Sequence, residues 1–195
     1  MKKMLIVNVL VIPWLLIPSL NLTYNKTKWE NNMQVVSTQD QQLEQQIVLS
    51  GKLNILMPSD FSVMSSEKLA LKYPSVGHRP SEVYTNEKST INIALNHTTN
   101  KAKSEDLPNV RNVLESQFNR APFTLIKSEM RDLNGMPSIL LEFISPAVDT
   151  KIYNLMVITS LEGRLVMITF NCTEAERKQW TPIAKKIIGS ITLRK

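Results

Sequence analysis

Cysteine is nearly absent from this chain: Cys172 is the single one in 195 residues. One thiol closes no intrachain disulfide and supplies no cysteine-based zinc set. Its place at the end of an apolar run, with no histidine close in sequence, reads as a buried small hydrophobe rather than a reactive thiol. Histidine is almost as scarce, at His78 and His97, and neither has a neighbour at metal-ligand spacing. The nucleophile elbow G-x-S-x-G, the metalloprotease signature H-E-x-x-H, the P-loop and the dinucleotide fingerprint are all missing. Neighbouring carboxylates occur as Glu105-Asp106 and Glu174/Glu176, both at expected helix starts, where the helix dipole accounts for them. With no nucleophile–base pair to assign, the expectation is a noncatalytic protein without cofactor or metal.

Also missing is any concentration of charge. The formal charge is +6, with Lys2 and Lys3 at the extreme N-terminus. The other positives are scattered, as at Lys101/Lys103, Arg177/Lys178, Lys185/Lys186 and Arg194/Lys195, and acidic residues interrupt nearly all of them. Nucleic-acid proteins gather their cations on one face with aromatics among them, so no nucleic-acid partner is expected.

What is present begins with the leader. Met1-Lys2-Lys3 precedes an apolar run, Met4 to Leu20, that includes Trp14 and is broken only by Asn8, Pro13, Pro18 and Ser19. This is the pattern of an export signal's first two regions. The run is short for a spanning helix, which needs roughly 20 residues, and no clean small-x-small cleavage pair follows. Residues 1–22 are therefore read as a signal peptide or a retained membrane anchor. The folded part is expected to be exported, as a periplasmic, envelope-associated or secreted domain, with membrane association through this segment. Residues 23–46, including "STQDQQLEQQ", are too polar to offset their ordering entropy and read as a tether. Asn-x-Thr occurs at Asn21, Asn25, Asn96 and Asn171, which matters if the host glycosylates exported proteins.

Residues 47–195 carry the periodicities of one folded domain. Ile47–Leu49 and Leu53–Met57 flank Gly51 as a small hairpin. Ser65 or Ser66 caps a short helix that ends before Pro74. Glu82–Thr85 and Thr90–Asn96 form a second hairpin, with Ile91, Ile93 and Leu95 on one face and Asn92, Ala94 and Asn96 on the other. Leu107, Val110, Leu114, Phe118 and Ala121 recur at helical spacing. Strands over 123–133, 138–144, 152–160 and 164–171 form a meander, with Asn134-Gly135 as its strongest turn. Thr173 and Glu176 have the spacing of a capping box. Trp180, Ile183, Ala184, Ile187, Ile188 and Ile191 form the apolar stripe of a last helix, and Pro182 is expected to kink it. Helices that must cover an antiparallel meander predict an α+β fold, an α/β/α sandwich around a central antiparallel sheet.

Three stretches carry a resemblance: "ALKYPS…RPSEVYTNE…INIALN", then "EDLPNVRNVLES", then "NGMPSILLEFISPAVDTKIYNLMVITSLEGRLVMITFNCTE…W…IAKKIIGSI". Together they resemble the PsbP-like superfamily, which includes the photosystem PsbP proteins, the Ran-binding Mog proteins and the bacterial DcrB-like envelope proteins. The leader makes the DcrB-like envelope proteins the nearer analogue. The resemblance implies a noncatalytic module that binds a protein partner, or an adaptor or chaperone that shields a partner's apolar segment. An exposed apolar groove beside the meander would favour the adaptor; a deep pocket with a perturbed acid or base would favour a small envelope hydrolase.

The candidate binding surface is the proline-rich connection with the hairpin after it, Tyr73 to Asn96. Tyr73 and Tyr84 are expected as amphipathic contacts, Arg79 as the directed donor beside Glu82, and Asn92 and Asn96 as a hydrogen-bonding floor. The plainer alternative pairs Arg79 with Glu82 and packs Tyr84 beneath the loop.

Overall fold

The computed structural model describes residues 41–147 and 149–194. The expected leader, with Trp14, and the tether up to residue 40, with the sequons at Asn21 and Asn25, lie outside the described residues. The chain runs β1 (Leu43–Val48), β2 (Leu53–Pro58), β3 (Ser62–Val63), α1 (Ser66–Lys72), β4 (Glu82–Thr85) and β5 (Ile91–Lys101), then α2 (Leu107–Phe118), β6 (Thr124–Leu133), β7 (Met136–Pro146), β8 (Lys151–Leu161), β9 (Arg164–Thr173), α3 (Arg177–Gly189) and β10 (Thr192–Leu193). The expected order of hairpins, helices and meander holds. β1 starts inside the stretch read as tether, because Leu43–Gln46 pair in register with β2 as far as Pro58.

Seven antiparallel strands form the main sheet in the order β3-β4-β5-β9-β8-β7-β6, while β1, β2 and β10 form a separate three-stranded sheet. The alternation read in "TINIALN" continues across the main sheet and gives it two apolar faces. On one face, Ile93, Leu155, Ile168 and Phe170 pack against Leu53, Ile55 and Met57 of the small sheet and against Trp180, Ala184 and Ile187 of α3. On the other, Ile139, Leu141, Phe143, Met156 and Met167 pack against Leu107, Val110, Leu114 and Phe118 of α2. The result is the expected layered α+β sandwich, with the small sheet beside α3 as an addition. Its two-residue strand β10 is too short to show a period of its own.

Local chemistry sets the element ends. The Ser65 hydroxyl accepts the Lys68 amide and caps α1. α2 ends at Phe118, so Ala121 falls in the following turn; there Phe118 meets Phe143 edge-on, with centroids 4.7 Å apart. Asn134 and Gly135 both take positive φ, 54° and 83°, as their hairpin turn requires. The expected capping box does not form. Thr173 remains in β9, and its hydroxyl donates to the Glu176 carboxylate at 2.6 Å instead of accepting an amide, so α3 starts at Arg177. α3 is continuous through Pro182. Trp180 lies in the core, 5.9 Å from Phe61 and 6.0 Å from Phe170 between ring centroids, and Cys172 is buried and free.

Ile187 is fully enclosed between α3 and the sheet. Ile187→Ala should cost roughly 2–4 kcal/mol through lost burial and a residual cavity, read as a lowered midpoint in denaturant melts. A change below about 0.5 kcal/mol, the level usual at surface sites, would contradict that packing.

Candidate functional site

The structure divides the six residues of the expected Tyr73–Asn96 surface between the two faces of the main sheet. Tyr84 packs toward the α3 face and Val83 toward the α2 face; by strand alternation Glu82 shares the face of Tyr84. Tyr73 and Asn92 lie on the α2 side and are both 1% exposed, so neither offers itself to a partner. Arg79 does not pair with Glu82. Its Nε donates to the carbonyl of Tyr73 at 2.9 Å and fastens the connection to the end of α1. Glu82 instead accepts the Tyr84 hydroxyl at 3.4 Å and the Leu49 amide at 3.5 Å. Burial, then the adjacent Glu82 charge, raise the Tyr84 pKa. Asn96 is half-buried and accepts the Ser81 hydroxyl at 3.4 Å.

The asparagines have a structural role. Thr85, Asn92, Asn171 and Asn154 stand opposite one another across β4, β5, β9 and β8, all buried. The Thr85 hydroxyl donates to Asn92 Oδ1 at 2.9 Å, Asn92 Nδ2 to Asn171 Oδ1 at 2.8 Å, and Asn154 Nδ2 to the Ser145 hydroxyl at 3.0 Å. Tyr73 hydrogen-bonds Asn171, and burial raises its pKa well above the usual phenol value. Lys72 Nζ donates to the Ser89 carbonyl and to Asn92 Oδ1. Burial at 2% exposure closes the Asn171 sequon to modification in the folded domain. His97 sits in β5, its Nε2 3.2 Å from the Leu161 carbonyl and its Nδ1 3.3 Å from Arg164. Among the described residues no group of three or more His, Cys, Asp or Glu side chains is placed to hold a metal.

A groove of about 290 Å³ opens elsewhere, on the α3 face of the meander. α3 packs over β8 and β9, and the groove lies beside it over β7 and β6. Its floor is apolar, built by Leu133, Leu140, Leu155, Val157 and Ile188. Lys185 of α3 and Lys127 and Arg131 of β6 contribute cations. Lys127 pairs with Glu129 at 2.9 Å, whereas no acidic side chain among the described residues lies within ion-pair distance of Arg131 or Lys185. The groove's carboxylate, Glu142, is engaged by its surroundings. It accepts the Tyr153 hydroxyl at 3.1 Å and lies 3.9 Å from Arg177, whose guanidinium sits 5.0 Å from the centre of the Tyr153 ring. Burial, then the Glu142 charge, raise the Tyr153 pKa, so this phenol stays protonated as the donor. The Asn134 side chain closes one end by donating to the carbonyls of Gly189 and Ile191 at 3.0 and 2.7 Å, which clamps the β6–β7 turn to the end of α3. Sequence reasoning missed this groove. Its one legible signal was Lys127, Glu129 and Arg131 alternating on a strand, and periodicity does not say which strand lies at an edge.

No family sequence model matches the chain, and no curated protein sequence does either. Solved structures do match it. The solution structure of cyanobacterial PsbP (CyanoP) from Synechocystis sp. PCC 6803 superposes with a TM-score of 0.54 at 14% identity, covering 84% of this chain and 98% of that one. The fold is PsbP-like. A second PsbP-like neighbour is LpqN of Mycobacterium tuberculosis, described as involved in cell envelope biogenesis, with a TM-score of 0.51 at 14% identity over 81% of this chain and 95% of that one. At such identity the likeness concerns the PsbP-like fold alone.

Lys72 connects α1 to the buried asparagine row, and burial lowers its pKa from 10.5 to about 8. Between those values the unfolded chain binds the extra proton, so Lys72's contribution to stability rises as pH rises through that window; below it, burying the ammonium is a constant cost. Lys72→Met should remove this rise relative to the unaltered protein in denaturant melts at about pH 7.5 and about pH 9.5. Identical pH dependence in the two proteins would contradict the burial of the amine.

Proposed function

We propose that this domain is a noncatalytic binding module of the cell envelope that seats a segment of a protein partner in the groove between β6–β7 and α3. The observation that carries the reading is the pairing of an apolar floor with two cations, Arg131 and Lys185, that have no carboxylate within ion-pair distance among the described residues. A segment that lays an apolar side chain over Leu140, which is 7% exposed, and an aspartate or glutamate beside Arg131 or Lys185 satisfies both features. The directed guanidinium contact fixes the register, and apolar contact adds to the affinity. The groove lies beside the meander, which favours the adaptor form of this function, a domain that shields an apolar stretch of its partner. The apolar leader supports an envelope location, and so does the likeness to LpqN.

The reading moves the partner surface away from Tyr73–Asn96. In intact cells, photo-crosslinking from a reactive residue placed at Lys186, the exposed chain neighbour of Lys185 in α3, should capture a partner. Arg131→Glu with Lys185→Glu should lower capture of that same partner about tenfold, equivalent to about 1.4 kcal/mol, at an unchanged melting temperature. Arg79→Ala should lower stability by releasing the Tyr73 carbonyl while capture per folded molecule stays constant. Capture that survives the double charge reversal, or that depends on Arg79 in the folded protein, would overturn the proposal.

A further inference from the structure

Among the described residues, the outer edge of β6 is the long open edge of the seven-stranded sheet. At its other end the sheet stops on β3, which is two residues long and too short to template another strand. β6 runs for ten residues and, among the described residues, pairs with β7 alone. An edge of that length presents a row of unpaired amides and carbonyls. It also carries two exposed large apolar side chains, Ile126 at 43% and Met130 at 36%. Of its four charges, Lys127, Glu129 and Arg131 share one face and Asp132 lies on the other.

Charges on an edge repel arbitrary strands, but these are arranged to accept a copy of themselves. A two-fold axis perpendicular to the sheet keeps every side chain on its own face, so facing residues are separated by an even number of positions. With Ser128 on the axis, Lys127 of each copy stands opposite Glu129 of the other, and Ile126 stands opposite Met130. The regular shared ladder then runs from Ile126 to Met130, because a bulge between Leu125 and Lys127 shifts the alternation of β6 beyond it. Moving the axis to Lys127 sets that lysine against itself. Moving it to Glu129 sets the glutamate against itself and Lys127 against Arg131. An axis on Met130 pairs Glu129 with Arg131 but leaves Lys127 facing Leu133 and puts Ile126 beyond the ladder. Opposite charges directly across a strand pair stabilise it and like charges destabilise it, so the register about Ser128 is the one that satisfies both the charges and the exposed apolar side chains.

We propose that β6 is a self-recognition strand: two copies of this chain join edge to edge about Ser128, continuing the sheet of one into the sheet of the other. The existing 2.9 Å pair of Lys127 and Glu129 within each copy becomes a cluster of four alternating charges across the axis. Arg131 and Lys185 remain available on the groove face, so self-association and groove occupancy are separable.

The test is sedimentation of the full chain, as isolated from cells, over a dilution series with charge variants. The unaltered protein should reach a dimer. Glu129→Lys should weaken the dimer at least tenfold, because Lys127 then faces lysine. The double variant Lys127→Glu, Glu129→Lys should regain it, because the pairs are exchanged and remain complementary. Mixing the single variants Lys127→Glu and Glu129→Lys should give a mixed dimer tighter than either forms alone, which tests the register even where one variant self-associates poorly. Thermal melts of each variant check that the domain stays folded. A monomer at every concentration up to millimolar overturns the proposal. So does a dimer indifferent to Glu129→Lys, or a folded double variant that fails to regain association.

Discussion

The rest of this structure depends on the two strands at its centre being covered on both faces. β8 and β9 are buried along almost their entire length, which explains why "IYNLMVIT" and "LVMITFNC" read as nearly unbroken apolar runs rather than alternating ones. Strands of that composition are stable in water only between two layers. One layer comes from α2, which precedes the meander in the chain. The other comes from the small sheet, whose β1 and β2 open the described part of the chain, and from α3, which follows β9. Because α3 is centred on β8 and β9, its cover ends before β7 and β6. The groove lies at the margin of that cover, and the Asn134 clamp on the end of α3 closes one end of it.

The same constraint explains the most unusual sequence of the chain. The α2 face near the start of β5 carries a polar row, Thr85, Asn92, Asn171 and Asn154, where an apolar row would have packed without partners. A buried amide left unpaired costs about 1–3 kcal/mol, and hydrogen bonds join Thr85, Asn92 and Asn171 while Asn154 bonds to Ser145 and the Ile152 carbonyl. Tyr73 and Lys72 bond to that row in turn, and Arg79 holds Tyr73 by its bond to the Tyr73 carbonyl. Tyr73–Asn96 is therefore a fold-required connection. Its hydrogen-bonding side chains at Arg79, Thr85 and Asn92 serve the interior, although the same residue types mark interfaces elsewhere.

How much of this was legible in the sequence follows the range of each signal. Periodicity is local, so the second hairpin, the meander, α2 and the stripe of α3 could be read directly, and layering followed from the need to bury their apolar faces. The alternation of "TINIALN" correctly separated Ile91 and Ile93 from Asn92 and Asn96, but which face is solvent depends on what packs there. Asn92 is buried because Asn171 lies opposite it, 79 residues away in the chain, and no local pattern reports that. Arg79 and Glu82 are close in sequence and opposite in charge, yet the strand sends Glu82 to the far face. The groove was illegible for the same reason. It exists only because β6 is an edge and α3 falls short of it, and both are facts of topology.

The central claim is that ligand recognition lies on the uncovered part of the α3 face. Chemical-shift mapping with a short peptide alternating leucine and aspartate tests it most directly. The account predicts saturable shifts along β6 and β7 and at Lys185, Ile188 and Gly189. Shifts centred on Tyr73–Asn96, with those groove residues unmoved, would contradict it.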